Sequence, residues 1–434
     1  MRRQVFDWSY IYLSEAINTT RLSNGLTILS EKMPGLRSVS LGIWARRGSR
    51  HETPELNGIC HFIEHTVFKG TQTRTALDIA IESDRMGGHL DAFTTHETTG
   101  FTMKVADTHA ERAFVLLADM LAHPRFDETD LKREQRVIIE EMKMVEDTPE
   151  EFLGELFNAA YFPRHPLGRP IEGTAKTVSS FGQATTARFH AQQFAPHNLV
   201  IAAAGNIEHE QLVAWAAAAF GENGAAPVNI EETAPELTAP IILRRKRDLE
   251  QAHVLIAAPW PSAKDADRYA GSLLLGLLGG SASSRLWQQI REERGLAYSV
   301  GAGASAWADV GVFSIYAGAS PEHLNEVVDL SLKELRRLVR EAVSADELQL
   351  FKEQAVSSIL LGLESSGGRA GTLARQEIVH GKRITPDEII KRLEAVTIED
   401  IQRIAQQYFK SENMAFAALG NLNSFKMDRA RLEI

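Results

Sequence analysis

His61, Glu64 and His65 stand within the stretch Gly58-Ile-Cys-His-Phe-Ile-Glu-His-Thr-Val-Phe-Lys-Gly70. On a helix, residues three and four apart lie one turn from each other, so this spacing sets all three on one face. Two imidazoles one turn apart can hold a single zinc ion, and a carboxylate beside them can take a proton from water. The order His-x-x-Glu-His inverts the commoner His-Glu-x-x-His and implies the centre of a zinc-dependent peptide hydrolase. Ile59, Phe62, Ile63, Val67 and Phe68 around it are apolar. The helix is therefore expected to be buried, where ionisable groups need partners.

Two imidazoles leave such a centre one protein ligand short, and the helix expected after Asp127 offers it. Asp127 fits an N-cap with Asp130 three residues on, close to a capping box, and the periodicity runs to about Val145. Wound at about 100° per residue, Glu134, Val137, Ile138, Glu141 and Val145 share one face, while Arg136, Glu140 and Lys143 share another. Glu140 has cationic neighbours in water. Glu141 is expected among apolar residues, where an ionised carboxylate is costly unless it is paired or ligates a metal. It is the candidate third ligand, with Glu134 two turns earlier as its supporting partner.

The elements that must position these groups follow from the rest of the chain. At 434 residues it exceeds the size at which a single core stops growing, about 250 to 300 residues, so two domains are expected. Hydrophobic residues at 44% and charged ones at 24% are ordinary for a globular protein. A formal charge of −10 argues against nucleic-acid binding and suits basic peptide ligands. The single cysteine, Cys60, excludes an internal disulfide framework and suits a reducing compartment. Residues 1–10 start basic but have no apolar core, and no apolar run approaches the roughly 18 residues of a membrane helix. A cytoplasmic protein with no membrane and no nucleic-acid partner is the expectation.

In chain order, Asn24-Gly25 reads as a hairpin turn before a strand, and Ser38–Ala45 as a second strand. Residues 46–57 form a polar loop into the motif helix. Helices are expected over 76–86 and 110–122, with a strand pair in 90–105 between them. Helices follow over 150–161, within 178–194 and over 208–220, with an apolar strand over 198–206. Residues 221–240, rich in Gly, Ala, Pro and Glu, read as a linker between an N-terminal half, 1–220, and a C-terminal half, 241–434. The second half repeats the order of the first: a strand over 253–258, helices over 265–278 and 285–293, a strand pair over 298–319, then helices over 322–341 and 345–363. Its counterpart of the motif helix has no histidine. The implied class is α/β: two similar halves, each a mostly antiparallel sheet with helices packed on it, one of them bearing metal ligands.

Over nearly its whole length the chain resembles the pitrilysin-type zinc peptidases, in particular the short-chain branch of mitochondrial processing peptidase subunits and bacterial homologues. The family motif reads like Gly-Ile-Ala-His-Phe-Leu-Glu-His-Met-x-Phe-Lys-Gly-Thr; Gly58 to Thr71 follows it, with Cys60 for Ala and Thr66 for Met. The resemblance implies one Zn2+ per chain on His61, His65 and Glu141, since Val137-Ile-Ile-Glu-Glu-Met142 matches the family's third-ligand helix, and it makes Glu134 an auxiliary glutamate. Glu64 is implied as the base that takes a proton from zinc-bound water and passes it to the leaving amine. Asp91, Ala92, Phe93 and Thr94 match the edge strand on which substrates bind as an added strand. Arg291 and Tyr298 match a pair that reaches the scissile bond; read without the family, one is a solvated helix charge and the other a strand residue. The implied partners are peptide substrates and a second copy of the chain, a homodimer enclosing a chamber, with a heterodimer with an inactive paralogue as the alternative.

Three other readings compete. A non-catalytic structural subunit predicts a broken motif, and this one is intact. Metal storage or sensing would not need Glu64. A presequence-processing subunit would use acids after the third ligand, where Glu151 and Glu155 stand in a Glu-rich helix whose simpler reading is a solvated face.

Overall fold

The computed structural model describes residues 17–221, 233–422 and 425–434. Most of the expected linker, residues 222–232, and the N-terminal stretch read for a targeting signal lie outside the described residues. The first sheet is built from β1 (Ile17–Arg21), β2 (Thr27–Lys32), β3 (Ser38–Ala45), β4 (His89–Thr94), β5 (Thr99–Ala106) and β6 (Leu199–Gly205), in the order β1-β2-β6-β3-β5-β4. β2 and β6 run parallel and the other neighbours antiparallel. The second sheet contains β7 (Ile241–Arg245), β8 (Ala252–Trp260), β9 (Ala297–Ala306), β10 (Gly311–Ala319) and β11 (Ala415–Gly420), in the order β7-β11-β8-β10-β9. Its one parallel pair, β7 with β11, stands where β2 with β6 stands in the first. Apart from β1 the two sheets share strand order and polarity, so the repeat expected from sequence is present as two mixed, mostly antiparallel α/β layers.

The helices of the first half are α1 (Ile59–Thr66), α2 (Ala76–Arg85), α3 (Ala110–Ala122), α4 (Glu128–Asp147), α5 (Pro149–Tyr161), α6 (Ala175–Val178), α7 (Gln183–Gln193) and α8 (His209–Phe220). Those of the second are α9 (Arg268–Leu275), α10 (Leu324–Arg340), α11 (Ala345–Gly362), α12 (Ser366–His380), α13 (Pro386–Glu394) and α14 (Ile398–Tyr408). On one face of the first sheet, Ile28, Leu41, Ile43, Phe101 and Ile201 form a core with Phe62 and Ile63 of α1 and Leu117 of α3. Full burial of side chains like these contributes roughly 1.5–3 kcal/mol each.

The two opposite faces are covered by exchange. α12, from the second half, packs Ala370, Leu373 and Ala374 onto Leu29, Trp44, Val200, Ala202 and Ala204 of the first sheet. α5, from the first half, packs Leu153, Phe157 and Tyr161 onto Ala257, Ala415, Ala417 and Leu419 of the second. The alanines of β6 and β11 keep the sheet surface low enough for a helix to settle closely. Polar pairs fasten α12: Glu377 meets Arg21 at 2.8 Å and Arg46 at 2.9 Å, Arg369 pairs with Glu31, and Ser366 bonds Ser40 at 2.9 Å.

Three expectations need correction. The helix expected over 265–278 spans only Arg268–Leu275 as α helix and then widens into a π turn, Gly276–Gly280, because Gly279 leaves helical geometry to lie against β9. The short helix expected over 285–293 is likewise a π turn, Trp287–Glu292. The periodicity places Glu141 among apolar residues that would make its charge costly, yet its side chain is 40% exposed and Val137 is 48% exposed. α4 lies at the surface and turns only Leu131, Glu134 and Ile138 fully inward.

Candidate active site

The motif helix starts abruptly and is held there. Gly58 precedes it with φ of 95°, and a Cβ on that residue would stand 2.4 Å from the carbonyl oxygen of Glu172. Only glycine enters this turn without strain. The buried Glu52 carboxylate then accepts the backbone N–H groups of Gly58 and Cys60, each at 2.8 Å, so a negative charge caps the helix dipole. Burial raises the Glu52 pKa, and those hydrogen bonds oppose the rise. Cys60 is buried and unpaired, and burial, with Glu52 beside it, pushes its thiol well above the usual range.

From this fixed start α1 presents His61 and His65 to α4, their ring centroids 4.6 Å apart. Oε2 of Glu141 lies 3.8 Å from Nε2 of His61 and 3.5 Å from Nε2 of His65, and one ligand atom from each residue falls within 4.8 Å of the others. That Glu141 oxygen is buried and, among the described residues, accepts no hydrogen bond. An unsatisfied anionic oxygen facing two imidazole nitrogens is costly unless a cation takes all three. The donor set, two nitrogens and one carboxylate oxygen, is that of an open zinc site, so these residues fit the metal.

Behind His65 stands Glu134, whose Oε2 is 3.3 Å from Nδ1 of His65 while Oε1 meets Lys69 Nζ at 2.9 Å. This contact leaves Nε2 of His65 to face Glu141 and fixes the ring. Burial, followed by the charge of His65, lowers the His61 pKa to about 3, so its ring is neutral at physiological pH. For His65 burial also pulls downward, but the Glu134 hydrogen bond and the charges of Glu141 and Glu64 raise it overall.

Glu64 lies on the side of α1 that faces the sheet edge. Its Oε2 accepts the Thr94 hydroxyl at 2.6 Å. Burial raises its pKa against that hydrogen bond and His65, with Glu141 and Asp91 adding to the rise. Among the described residues, β4 is the outermost strand of its sheet and pairs only with β5. Its residues alternate, His89, Asp91 and Phe93 outward and Leu90, Ala92 and Thr94 toward α1.

Arg291 and Tyr298 occupy a different setting. The Arg291 guanidinium lies 4.1 Å from the Trp287 ring centroid and 4.8 Å from that of Tyr298, whose side chain is 78% exposed. Among the described residues, neither makes a hydrogen bond or ion pair to His61, Glu64, His65 or Glu141. The structure therefore groups seven of the expected residues (His61, Glu64, His65, Asp91, Thr94, Glu134 and Glu141) by contact or charge, and leaves the Arg291/Tyr298 pair apart.

Glu155 has a pKa pushed up to about 7 by burial and by the charges of Glu172, Glu146 and Glu151. Glu172 is itself raised, by burial and then by Glu141 and Glu151. The helix face expected to be solvated is thus partly buried, and Glu172 links it electrostatically to Glu141. Sequence reasoning missed Glu52, Lys69 and Glu172, because two of them sit in loops without periodicity and the third answers a residue 65 positions away on another helix.

Residues 27–175 match the family model described as insulinase, peptidase family M16, and residues 185–355 match that of the peptidase M16 inactive domain. An uncharacterised zinc protease of Bacillus subtilis is 39% identical over 92% of this chain and 98% of its own length. A protease from Helicobacter pylori superposes with a TM-score of 0.84 at 22% identity, over 94% of this chain and 99% of that one. A peptidase M16 inactive domain from Pseudomonas fluorescens gives 0.86 at 20% identity, over 95% of this chain and 100% of that one. With both family models matched in order and a relative of this identity aligned nearly end to end, the chain belongs to peptidase family M16, the pitrilysin-type family.

Proposed function

We propose that the protein is a zinc endopeptidase that cleaves peptides held as an added strand along β4. The observation that carries this reading is the buried, unsatisfied Glu141 oxygen facing the Nε2 atoms of His61 and His65. Bound there, one zinc per chain would supply Lewis acidity, lowering the pKa of water and polarising a peptide carbonyl. The rest is work for the chain's own groups. Glu64, its pKa raised by burial, is placed to accept a proton and return it to the leaving amine. Thr94 occupies one oxygen of that carboxylate and so orients the other. Glu134 keeps His65 turned toward the metal position. The outer edge of β4, without a strand partner among the described residues, offers backbone donors and acceptors to an extended substrate, which selects conformation more than sequence.

Arg291 and Tyr298 are proposed to act on the scissile carbonyl, Arg291 holding it and the Tyr298 phenol donating to the developing oxyanion. The exposure of Tyr298 leaves it available for this. We assign a homodimer, with mass measurement of the purified chain as its check. A cytoplasmic setting suits the single, buried, unpaired Cys60; among the described residues no helix is long and apolar enough to cross a membrane. Structural neighbours of the inactive-domain kind keep the alternative of a non-catalytic subunit in view. Incubation of the purified protein with a peptide library, with and without a chelator, decides between them: chelator-sensitive cleavage supports the peptidase, and no cleavage under any metal loading overturns it.

A further inference from the structure

On the face of the first sheet away from α1 lies a cavity of about 1170 Å³ between the two halves. Trp44 and Phe93 form its floor, and Tyr269 of α9, Trp307, Ile359 of α11 and Leu393 of α13 its walls. None of His61, Glu64, His65 and Glu141 lines it. The polar groups of the lining are largely spoken for within the protein. Ser40 bonds Ser366, Ser272 bonds the Tyr269 carbonyl, and Gln376 bonds both backbone groups of Ile384. Besides the side chains of His89, Thr102 and Ser358, what the lining offers a ligand is mainly apolar surface and positive charge.

The charge is one-sided. Lys104, Arg268 and Arg375 line the cavity, and Glu97 is the acid among the lining residues. Glu97 is already taken by Arg50 at 2.6 Å and by the backbone N–H of Ala308 at 3.0 Å. Arg375 makes no hydrogen bond or ion pair among the described residues, and Arg268 donates only to the Asp265 carbonyl and the Tyr269 hydroxyl. His380 also lines the cavity, and its pKa is lowered by burial and then by Arg268, Lys264, Lys382 and Arg375, so these cations gather at one end. In a chain of net charge −10 this concentration of unneutralised positive charge stands out.

We propose that this cavity binds a medium-chain fatty carboxylate, its head between Arg268, Arg375 and His380 and its alkyl chain along Tyr269, Ile359 and Phe93. An alkyl chain can occupy such walls without leaving a buried group unsatisfied. An extended peptide would bring amide groups on both of its edges, and away from β4 the walls formed by Tyr269, Ile359 and Leu393 are largely apolar. A carboxylate completes hydrogen bonds to guanidinium groups that lack an anion. The size and the apolar lining with a few convergent charged groups are those of small-molecule pockets.

Titration of the purified full-length protein with laurate by calorimetry tests this, with dodecyltrimethylammonium as a cationic ligand of the same chain length and an acidic apolar peptide as a third probe. The expected result is one laurate per chain, with at least tenfold weaker binding of the ammonium compound. The double substitution Arg268→Glu, Arg375→Glu should weaken laurate at least tenfold. Gly371→Phe should abolish binding: Gly371 lines the cavity on α12, and a Cβ there meets nothing within 4 Å, so the ring projects into the space a ligand would fill. Should that variant fail to fold, Arg375→Glu alone, on an exposed side chain, serves in its place. No laurate binding, equal binding of both amphiphiles, binding of the peptide in place of laurate, or unchanged laurate affinity in the folded variants would each overturn the proposal. Hydrolysis is not the readout, so the outcome is separate from that of the chelator experiment.

Discussion

Glu64 and Glu134 both stand beside His65, but their contacts divide their work. Glu134 is held between His65 and Lys69, and the net effect of these partners lowers its pKa despite burial. Glu64 accepts a hydrogen bond from the Thr94 hydroxyl and, chiefly through burial, is pushed the other way. Glu64→Gln should therefore cut peptide hydrolysis by roughly 10²–10⁴-fold with zinc content unchanged by metal analysis. Glu141→Gln should lose zinc outright, and Glu134→Gln should weaken zinc by about 10–100-fold in chelator competition. The ligand residues were legible because helical periodicity is a short-range code: His61 to His65 is one turn, Glu134 to Glu141 two. Their surroundings were not. The exposure of Val137 depends on what packs over α4, which no local pattern records.

At the scale of elements, the start of α1 and the acidic face of α5 make separable predictions. Gly58→Ala forces a side chain into left-handed backbone against Glu172 and should cost about 1–3 kcal/mol in denaturant unfolding, with zinc affinity falling as α1 shifts. Glu155 has a folded pKa of about 7, raised above its ordinary value of 4.5. The folded state therefore binds the extra proton between those values, so its contribution to stability is complete below the unfolded pKa and is lost as pH rises through about 7. Glu155→Gln should remove that slope, raising the Tm relative to wild type at pH 8 more than at pH 4. Strand Ser38–Ala45 and helix Ala110–Ala122 were readable to their end residues because turn signals and Pro124 bound them. The π turns around Gly279 and Arg291 were not, since they accompany the approach of β9 to Gly279 and the seating of the Arg291 guanidinium over Trp287, which no local pattern records.

For the whole molecule, the duplicated α/β unit was visible in the order of strands and helices, and apart from β1 the sheets repeat that order. The exchange of α5 and α12 was not visible, because an apolar helix face does not say which sheet it will cover. It has a measurable result. Residues 1–232 and 233–434 expressed as separate chains should each aggregate alone, with Leu29 and Trp44 or Ala415 and Leu419 uncovered, and should co-elute when expressed together. The exchange also bears on why a half without metal ligands persists. A duplicate that has no metal ligands is ordinarily free to drift in the elements that would have carried them. Here it cannot be, because its α12 roofs the sheet whose edge and underside carry the histidines' neighbours, so selection for hydrolysis in one half reaches through that roof to the sequence of the other.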